Sequence, residues 1–196
     1  MATPVQIANL ALSWMGQRSI NSLNDNQNEA IVMNANYELS RDKVLGDAAW
    51  TFATERQVLA PVADTLAFGR GNKFLIPSDV LRVFRVYRST NTSQTDKFMN
   101  ADWVREGRYI ISAEEALWAV FIMKVSDPNL FSPSFVHALA ARLAADTAIT
   151  FTESIKMEEK MEQRYMMKLA DAKYADGSQG TTEVVRSSRL TGTRKR

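Results

Sequence analysis

The stretch DPNLFSPSFVHALAARLAADTAITFTES, residues 127–154, decides the fold. Pro128 and Pro133 enclose a short turn, and Ser132 can cap a helix that has Pro133 at its first position. A helix is therefore predicted from Pro133 onwards. One face of it combines large residues at multiples of four with small ones beside them, namely Phe135, Leu139, Leu143, Phe151, Ala140, Ala144 and Ala148. Such a face lets a neighbouring helix approach closely.

Two helices are predicted in the first quarter of the chain. Thr3 followed by Pro4 is a helix start, and Gly16 is a helix end. A second helix begins near Asn28 and has two apolar sides, one with Ile31, Ala35 and Leu39 and the other with Met33, Tyr37 and Val44. We therefore expect this second helix to pack between neighbours, within the protein or in an assembly.

The periodicity changes at Trp50 from helical to strand-like. Residues 81–88 alternate apolar and basic side chains, which predicts a strand. Its faces would carry Leu81, Val83 and Arg85 on one side and Arg82, Phe84 and Val86 on the other. The pair Glu106-Gly107 predicts a hairpin whose glycine has a positive φ. The run 116–125 is apolar at both its odd and its even positions, so both faces would be buried and we expect a central strand there.

A fourth helix is predicted from Thr152 to Gly177, with its apolar stripe at Met157, Met161, Tyr165, Leu169 and Ala172. The short connection favours an antiparallel pair with the third helix. Met166 and Met167 lie off the stripe, so at least one of them should face a partner.

These patterns predict an α+β fold, a four-helix bundle with an inserted small antiparallel β-domain and an extended C-terminal tail. Residues 1–49 and 126–176 would form the helical bundle, and residues 50–125 the inserted β-rich domain. Residues 177–196 would be a flexible basic C-terminal tail, because their few apolar groups cannot form a core.

The composition argues against an enzyme. The chain has no cysteine and a single histidine, His137, which excludes thiolate chemistry and makes a histidine metal site or a catalytic triad untenable. The sequence GRGNK at 69–73 lacks the rest of a phosphate loop. Adjacent glutamates at 114–115 and 158–159 point apart, so they form no catalytic pair. We predict no catalytic residue, no metal and no cofactor.

The size and hydropathy predict a soluble protein with a substantial core. The chain has 196 residues, of which 45% are hydrophobic. No apolar stretch reaches the roughly 18 to 20 residues that a bilayer span requires. The N-terminal sequence MATPVQIANL has neither a basic leader nor a small-residue cleavage site. We therefore expect a product of the cytoplasm that does not bind membranes.

The net charge of +2 is unevenly distributed. The last twenty residues carry five basic residues against Glu183 alone, namely Arg186, Arg189, Arg194, Lys195 and Arg196. Taking that +4 from the chain's +2 leaves −2 for residues 1–176. A basic tail favours an acidic protein surface or nucleic acid as its partner, and a solvated charged end is the simpler interpretation.

The strand at 81–88 also has features of nucleic-acid binding. Arg82, Arg85 and Arg88 alternate with Phe84 and Tyr87. The sequence does not show aromatic residues repeated on adjacent strands, so a structural sheet with salt-bridged edges is the preferred interpretation.

Several blocks in a fixed order resemble the tail tubular protein A, or head-to-tail adaptor, family of short-tailed bacteriophages. They are Ile20, Ser22, Leu23 and Asp25; Tyr37, Arg41 and Asp42; Trp50, Phe52 and Ala53; Pro77, Asp79, Leu81, Arg82 and Val83; VREGRYIIS at 104–112; and DPNLFSPSF at 127–135. The resemblance covers nearly the whole chain before its basic tail.

The resemblance implies a structural virion protein at the head–tail junction, present in the host cytoplasm during assembly. Twelve copies would form a ring between the portal protein and a tail nozzle protein of the tail tubular protein B type. DNA would leave through the ring without specific binding. We expect the portal to contact the tail strap through Val184, Val185, Arg186, Arg189, Leu190, Arg194 and Arg196. The alternative is a nucleic-acid-binding regulator with a helical core and a basic C-terminal arm.

Overall fold

The computed structural model describes residues 2–63, 66, 71–88 and 99–179. The helices are α1 (Pro4–Trp14), α2 (Asn28–Asp47), α3 (Pro133–Thr152) and α4 (Ile155–Gly177). The strands are β1 (Thr54–Leu59), β2 (Asn72–Leu75), β3 (Val80–Arg88), β4 (Met99–Asn100), β5 (Val104–Glu106), β6 (Tyr109–Ser112) and β7 (Leu117–Met123). All of these strands lie between α2 and α3 in the chain.

Side-chain caps define where the helices begin. Thr3 accepts a hydrogen bond from the backbone N–H of Gln6, and the Gln6 side chain accepts one from the N–H of Thr3, which satisfies two of the free donors at the start of α1. Ser132 accepts from the N–H of Phe135 at the start of α3. Both predicted helix starts are confirmed. Helix α4 begins only after Ser154, which caps it.

Helix α3 is the centre of the helical region. It packs against α1, α2 and α4, and its buried residues lie around most of its circumference: Phe135, Ala138, Leu139, Ala140, Ala141, Leu143, Ala144, Ala145, Thr147 and Ala148. Near its start, the ring of Phe135 contacts those of Trp50, Phe52 and Phe131, with centroids 5.0, 5.0 and 4.7 Å away. The alanines allow three helices to approach one, which a single apolar stripe would not.

The predicted four-helix bundle with a small inserted β-domain is wrong. In a four-helix bundle each helix buries one stripe, whereas α3 is enclosed on most sides by the other three helices. The β-region is also not a small appendage, because β3 and β7 pack against α2 and Ile122 of β7 belongs to the helical core. The protein is α+β, with four helices and two antiparallel sheets in its described part.

The strands form one sheet in the order β1-β7-β3-β4 and another in the order β2-β6-β5, and all their pairings are antiparallel. The predicted central strand is confirmed, because β7 lies between β1 and β3. The predicted hairpin is also confirmed: it joins β5 to β6, and Gly107 has a φ of +58°. Side chains of both sheets, including Phe74, Ile110 and Phe121, form a second core.

Strand β3 contains two irregularities opposite β7, at which Leu81 and then Phe84 are extra residues. As a result Val83 and Val86, three residues apart, both pack in the core between the sheets. A regular strand would place them on opposite faces. The predicted faces of this strand are therefore wrong, and Arg85 lies on the face opposite to Val83.

The predicted division into domains at residues 49, 125 and 176 stays a prediction. Trp50 marks the point where the helical region passes into the sheets, and its side chain is fully buried and donates a hydrogen bond from Nε1 to the carbonyl of Val44, at 2.8 Å. A salt bridge of 3.2 Å between Lys124 and Asp42 joins the end of β7 to α2.

Candidate assembly surfaces

The residues predicted to contact the portal lie outside the described part of the chain. They are Val184, Val185, Arg186, Arg189, Leu190, Arg194 and Arg196. Their role therefore stays a prediction, and the candidate surfaces that follow are built from described residues.

The first candidate surface is the outer side of α2. Met33, Tyr37 and Val44 are buried, as expected for one of the two predicted apolar sides. The other side remains uncovered in the single chain: the side chain of Ile31 is 58% exposed and that of Leu39 is 71% exposed. Because these two residues are eight positions apart, they lie on the same side of the helix.

The second candidate surface is the outer side of α4. The predicted stripe is buried at Met161, Tyr165, Leu169 and Ala172, and Met157 packs against it. Off the stripe, Met166 is 59% and Met167 is 62% exposed. The methionines thus face away from the core of this chain, as their spacing predicted, while the partner that would cover them stays a prediction.

An open groove of about 850 Å³ adjoins these methionines. Its lining combines acidic, polar and apolar side chains, namely Arg142, Glu158, Glu159, Glu162, Gln163, Met166 and Met167. The groove has three carboxylates for one guanidinium, and that guanidinium is already bound to Glu162 at 3.1 Å. The outer side of α4 therefore offers an apolar strip bordered by negative charge.

A polar network holds α2, α3 and α4 together beneath these surfaces. Ser40 of α2 donates to Asp146 of α3 at 2.6 Å, and Asp146 also binds Arg142. Tyr165 of α4 donates to Asp47 of α2. Burial together with this hydrogen bond raises the pKa of Tyr165. The network fixes the relative positions of the three helices that carry the two surfaces.

The third candidate surface is the outer face of the four-stranded sheet. Tyr87 of β3 lies opposite Trp118 of β7, which in turn lies opposite Val58 of β1. In the neighbouring row, Arg85 of β3 and Arg56 of β1 lie on either side of Val120 of β7, and both are paired with it. Directly opposed residues of an antiparallel pair share a face. Basic and aromatic side chains of three strands therefore come together there.

The irregularity in β3 adds Phe84 to this face. The guanidinium of Arg85 lies 5.0 Å from the ring centroid of Phe84, and that of Arg82 lies 5.7 Å from it. The sequence analysis missed this surface because a nucleic-acid-binding sheet was expected to repeat its aromatic residues on adjacent strands, and no such repeat was found. The aromatic neighbour of Tyr87 is Trp118, which lies far away in the chain and becomes adjacent only through strand pairing. The tryptophan in the predicted central strand was the available signal.

The described residues include no group of three or more histidine, cysteine, aspartate or glutamate residues arranged to hold a metal ion. His137 is exposed and stacks on Trp14, with ring centroids 6.4 Å apart. Within the same described ranges, no helix has the length and apolar character needed to cross a bilayer.

Comparison of the sequence with protein families and with curated proteins finds no match.

Proposed function

We propose that the protein is a structural virion component, the head-to-tail adaptor of a short-tailed bacteriophage. In this proposal twelve copies form a ring that joins the portal to the tail nozzle and surrounds part of the channel for DNA. The observation that carries the proposal is the exposure of large apolar side chains on two different helices, at Ile31 and Leu39 of α2 and at Met166 and Met167 of α4.

A closed ring requires two different surfaces on each subunit. In a head-to-tail contact one flank of a subunit meets the other flank of its neighbour, so the two flanks are complementary and not identical. The outer sides of α2 and α4 differ in this way. Branched aliphatic residues are exposed on α2, and flexible methionines beside carboxylates are exposed on α4.

The framework below these surfaces also suits a ring. Subunit contacts that repeat around an axis close only when each subunit holds its two flanks at a fixed angle. The hydrogen bonds from Ser40 to Asp146 and from Tyr165 to Asp47 join the helices that carry the flanks. Such a rigid arrangement suits a protein whose function is to hold its neighbours in a fixed geometry.

Negative-stain electron microscopy of the full chain, alone and mixed with a portal ring, tests the proposal. The expected images show twelve-fold rings, or portals that have gained one additional ring. Leu39→Glu and Met167→Glu should each abolish this ring, because each places a carboxylate within a contact that excludes water.

Val104→Glu is the matched control. Val104 is an exposed aliphatic residue of β5, 61% accessible and outside both proposed flanks, so its variant should assemble as the wild type does. If wild-type protein yields no rings with any portal, or if Leu39→Glu and Met167→Glu assemble normally, the proposal is wrong.

A further inference from the structure

We propose that the C-terminal segment 180–196 binds to the outer side of α4 of the same chain, in the open groove beside Met166 and Met167. The groove belongs to the described part of the chain, whereas residues 180–196 lie outside it. The contact forms within one chain and therefore does not depend on the proposed function. In the proposed ring, the outer side of α4 exchanges this segment for a neighbouring subunit.

The apolar part of the groove continues along α4 towards the C-terminal end of the helix. Met166 is 59% and Met167 is 62% exposed, and Tyr174, about two turns further on, is 82% exposed. Ala170 between them is exposed as well. Ala170 and Tyr174 follow Met166 at intervals of four residues, so these side chains share one side of the helix. The apolar strip thus leads from the groove to the place where the described chain ends.

Two carboxylates border the strip at its other end. Glu158 and Glu159 line the groove, and no cation among the described residues forms a salt bridge with either of them. The guanidinium in the lining, that of Arg142, already binds Asp146 and Glu162. A segment that fits this surface therefore combines apolar side chains for the strip with a basic side chain for its acidic end.

The C-terminal segment has these residues in the required order. Val184 and Val185 come first, and Arg186 and Arg189 follow. The last twenty residues are basic overall, whereas the remainder of the chain carries a net negative charge. An arginine fork binds a carboxylate with two parallel hydrogen bonds. The charge of the segment therefore complements that of the groove.

The spacing of these residues matches the distances along α4. The helix ends in a turn at residues 178 and 179. Met166 lies about 16 Å and Glu159 about 27 Å along the axis from the last residue of α4. An extended chain that runs back along the helix from residue 180 advances about 3.3 Å per residue. It brings Val185 to Met166, and it brings Arg189 within a side chain's length of Glu159.

The connection to α4 favours this segment over other occupants of the groove. Because the segment begins beside the end of α4, its effective concentration at the groove is in the millimolar range. The same segment of another copy, at micromolar concentration, is far more dilute. Nucleic acid is disfavoured, because Glu158 and Glu159 repel its phosphates.

Disulfide formation in the full chain tests the proposal. The chain has no cysteine, so two introduced cysteines can form only one disulfide within a molecule. Met166→Cys with Val185→Cys should cross-link roughly tenfold faster than Asp171→Cys with Val185→Cys. Asp171 is exposed and closer to the segment, but it is turned about 140° around α4 from Met166. A segment that does not bind the groove would reach Asp171 at least as often.

Salt and charge variants test the contact with the carboxylates. An increase in ionic strength from about 0.01 to 1 M shortens the Debye length from about 30 to 3 Å, so cross-linking of the Met166 pair should slow several-fold. The Asp171 pair corrects for the effect of salt on the thiols. Arg189→Gln should slow the Met166 pair at low salt. Arg196→Gln is the matched control, because an extended segment places Arg196 beyond the start of α4.

Three results would overturn the inference. They are equal rates for the two cysteine pairs, disulfide-linked dimers in place of cross-linked monomers, and a rate for the Met166 pair that neither salt nor Arg189→Gln lowers. Non-reducing electrophoresis separates monomers from dimers, and circular dichroism verifies the fold of each variant. The rates are measured without a portal, so failure of this proposal and failure of ring assembly are distinguishable.

Discussion

Helix α3 and strand β3 represent two ways in which a sequence determines its buried face. In α3 the predicted apolar residues follow the helical period, and all of them are buried except Phe151, which is half-buried. In β3 the alternating pattern gives the wrong faces, because the extra residues Leu81 and Phe84 shift the pairing with β7. A helix carries its own periodicity, whereas the faces of a strand depend on the neighbour to which it pairs.

Single-residue deletions should give the largest effect and the sharpest contrast between these two elements. Deletion of Arg142 within α3 rotates the following part of the helix by about 100°, which moves Leu143 out of its buried position and places Asp146 in the buried position of Ala145. We expect loss of the cooperative unfolding transition, an effect as large as the whole folding free energy of about 5 to 15 kcal/mol.

Deletion of Phe84 is the matched experiment in β3. It removes the extra residue and restores regular alternation, with Arg85 still opposite Val120 and Val86 still opposite Ala119. We expect a cooperative transition and a loss within the about 0.5 to 3 kcal/mol usual for single changes. Urea denaturation measures both proteins. Equal losses of unfolding free energy in the two deletion variants would contradict the interpretation of Phe84 as an extra residue in β3.

Truncation of one phenylalanine in each region gives the next largest effect. Phe135 is fully buried and contacts three aromatic rings. Phe135→Ala should therefore lower the free energy of unfolding by about 3 to 5 kcal/mol. Phe84→Ala is the control, because Phe84 is partly exposed, and its loss should be smaller than about 1.5 kcal/mol. Similar losses measured by denaturant titration would show that Phe135 is not at the centre of the helical core.

The sequence was a better guide to local elements than to their neighbours. Thr3, Ser132 and Gly107 predicted two helix starts and a hairpin, because caps and tight turns depend on a few adjacent residues. The bundle was mispredicted because only Ala140, Ala144 and Ala148 of α3 were identified as small packing residues. Ala138, Ala141 and Ala145 are buried as well, so α3 packs against three helices and not along one stripe. Strand β1 was not predicted individually, since its polar sequence TERQVL has a weak apolar pattern.

The candidate surfaces also differ in whether a local sequence pattern predicts them. The exposure of Met166 could be inferred from helical spacing within α4 alone. The third candidate surface, the outer face of the four-stranded sheet, could not be inferred, because it depends on the register that sets Tyr87 opposite Trp118. Pairing between distant strands is determined by packing of the whole sheet and not by any local pattern.

The junction between the helical and β-regions should be sensitive to a single carboxylate. Asp176, near the end of α4, is buried and accepts hydrogen bonds from the backbone N–H and the hydroxyl of Thr51, both at 2.9 Å. Asp176→Ala should cost about 1.5 to 3 kcal/mol, as loss of hydrogen bonds to a charged group does. The control Asp171→Ala removes an exposed carboxylate from the same helix and should change stability little. Equal losses of stability for Asp176→Ala and Asp171→Ala in thermal unfolding would contradict the role of Asp176 in joining the two regions.

The smallest expected effect concerns Tyr37 of α2, a buried residue whose hydroxyl has no hydrogen-bond partner among the described residues. Burial raises the pKa of Tyr37 to about 12, although the charge of Arg41 opposes the shift.

Because the folded state disfavours the ionised form, the contribution of Tyr37 to stability is complete below the unfolded pKa of about 10. It is lost as the pH rises towards the folded value of about 12. Tyr37→Phe removes this titration. At neutral pH the variant should equal the wild type or exceed it by about 1 kcal/mol, since an unpaired buried hydroxyl is unfavourable. At about pH 11 its advantage should grow by about a further 1 kcal/mol.

Tyr165, whose pKa burial also raises, titrates in both proteins, so the difference between their urea denaturation curves isolates Tyr37. A constant difference from pH 7 to 11 would mean that the hydroxyl of Tyr37 ionises as easily in the folded chain as in the unfolded one. It would follow that water reaches this hydroxyl, so α2 packs less tightly against its neighbours at Tyr37 than the burial of the side chain indicates.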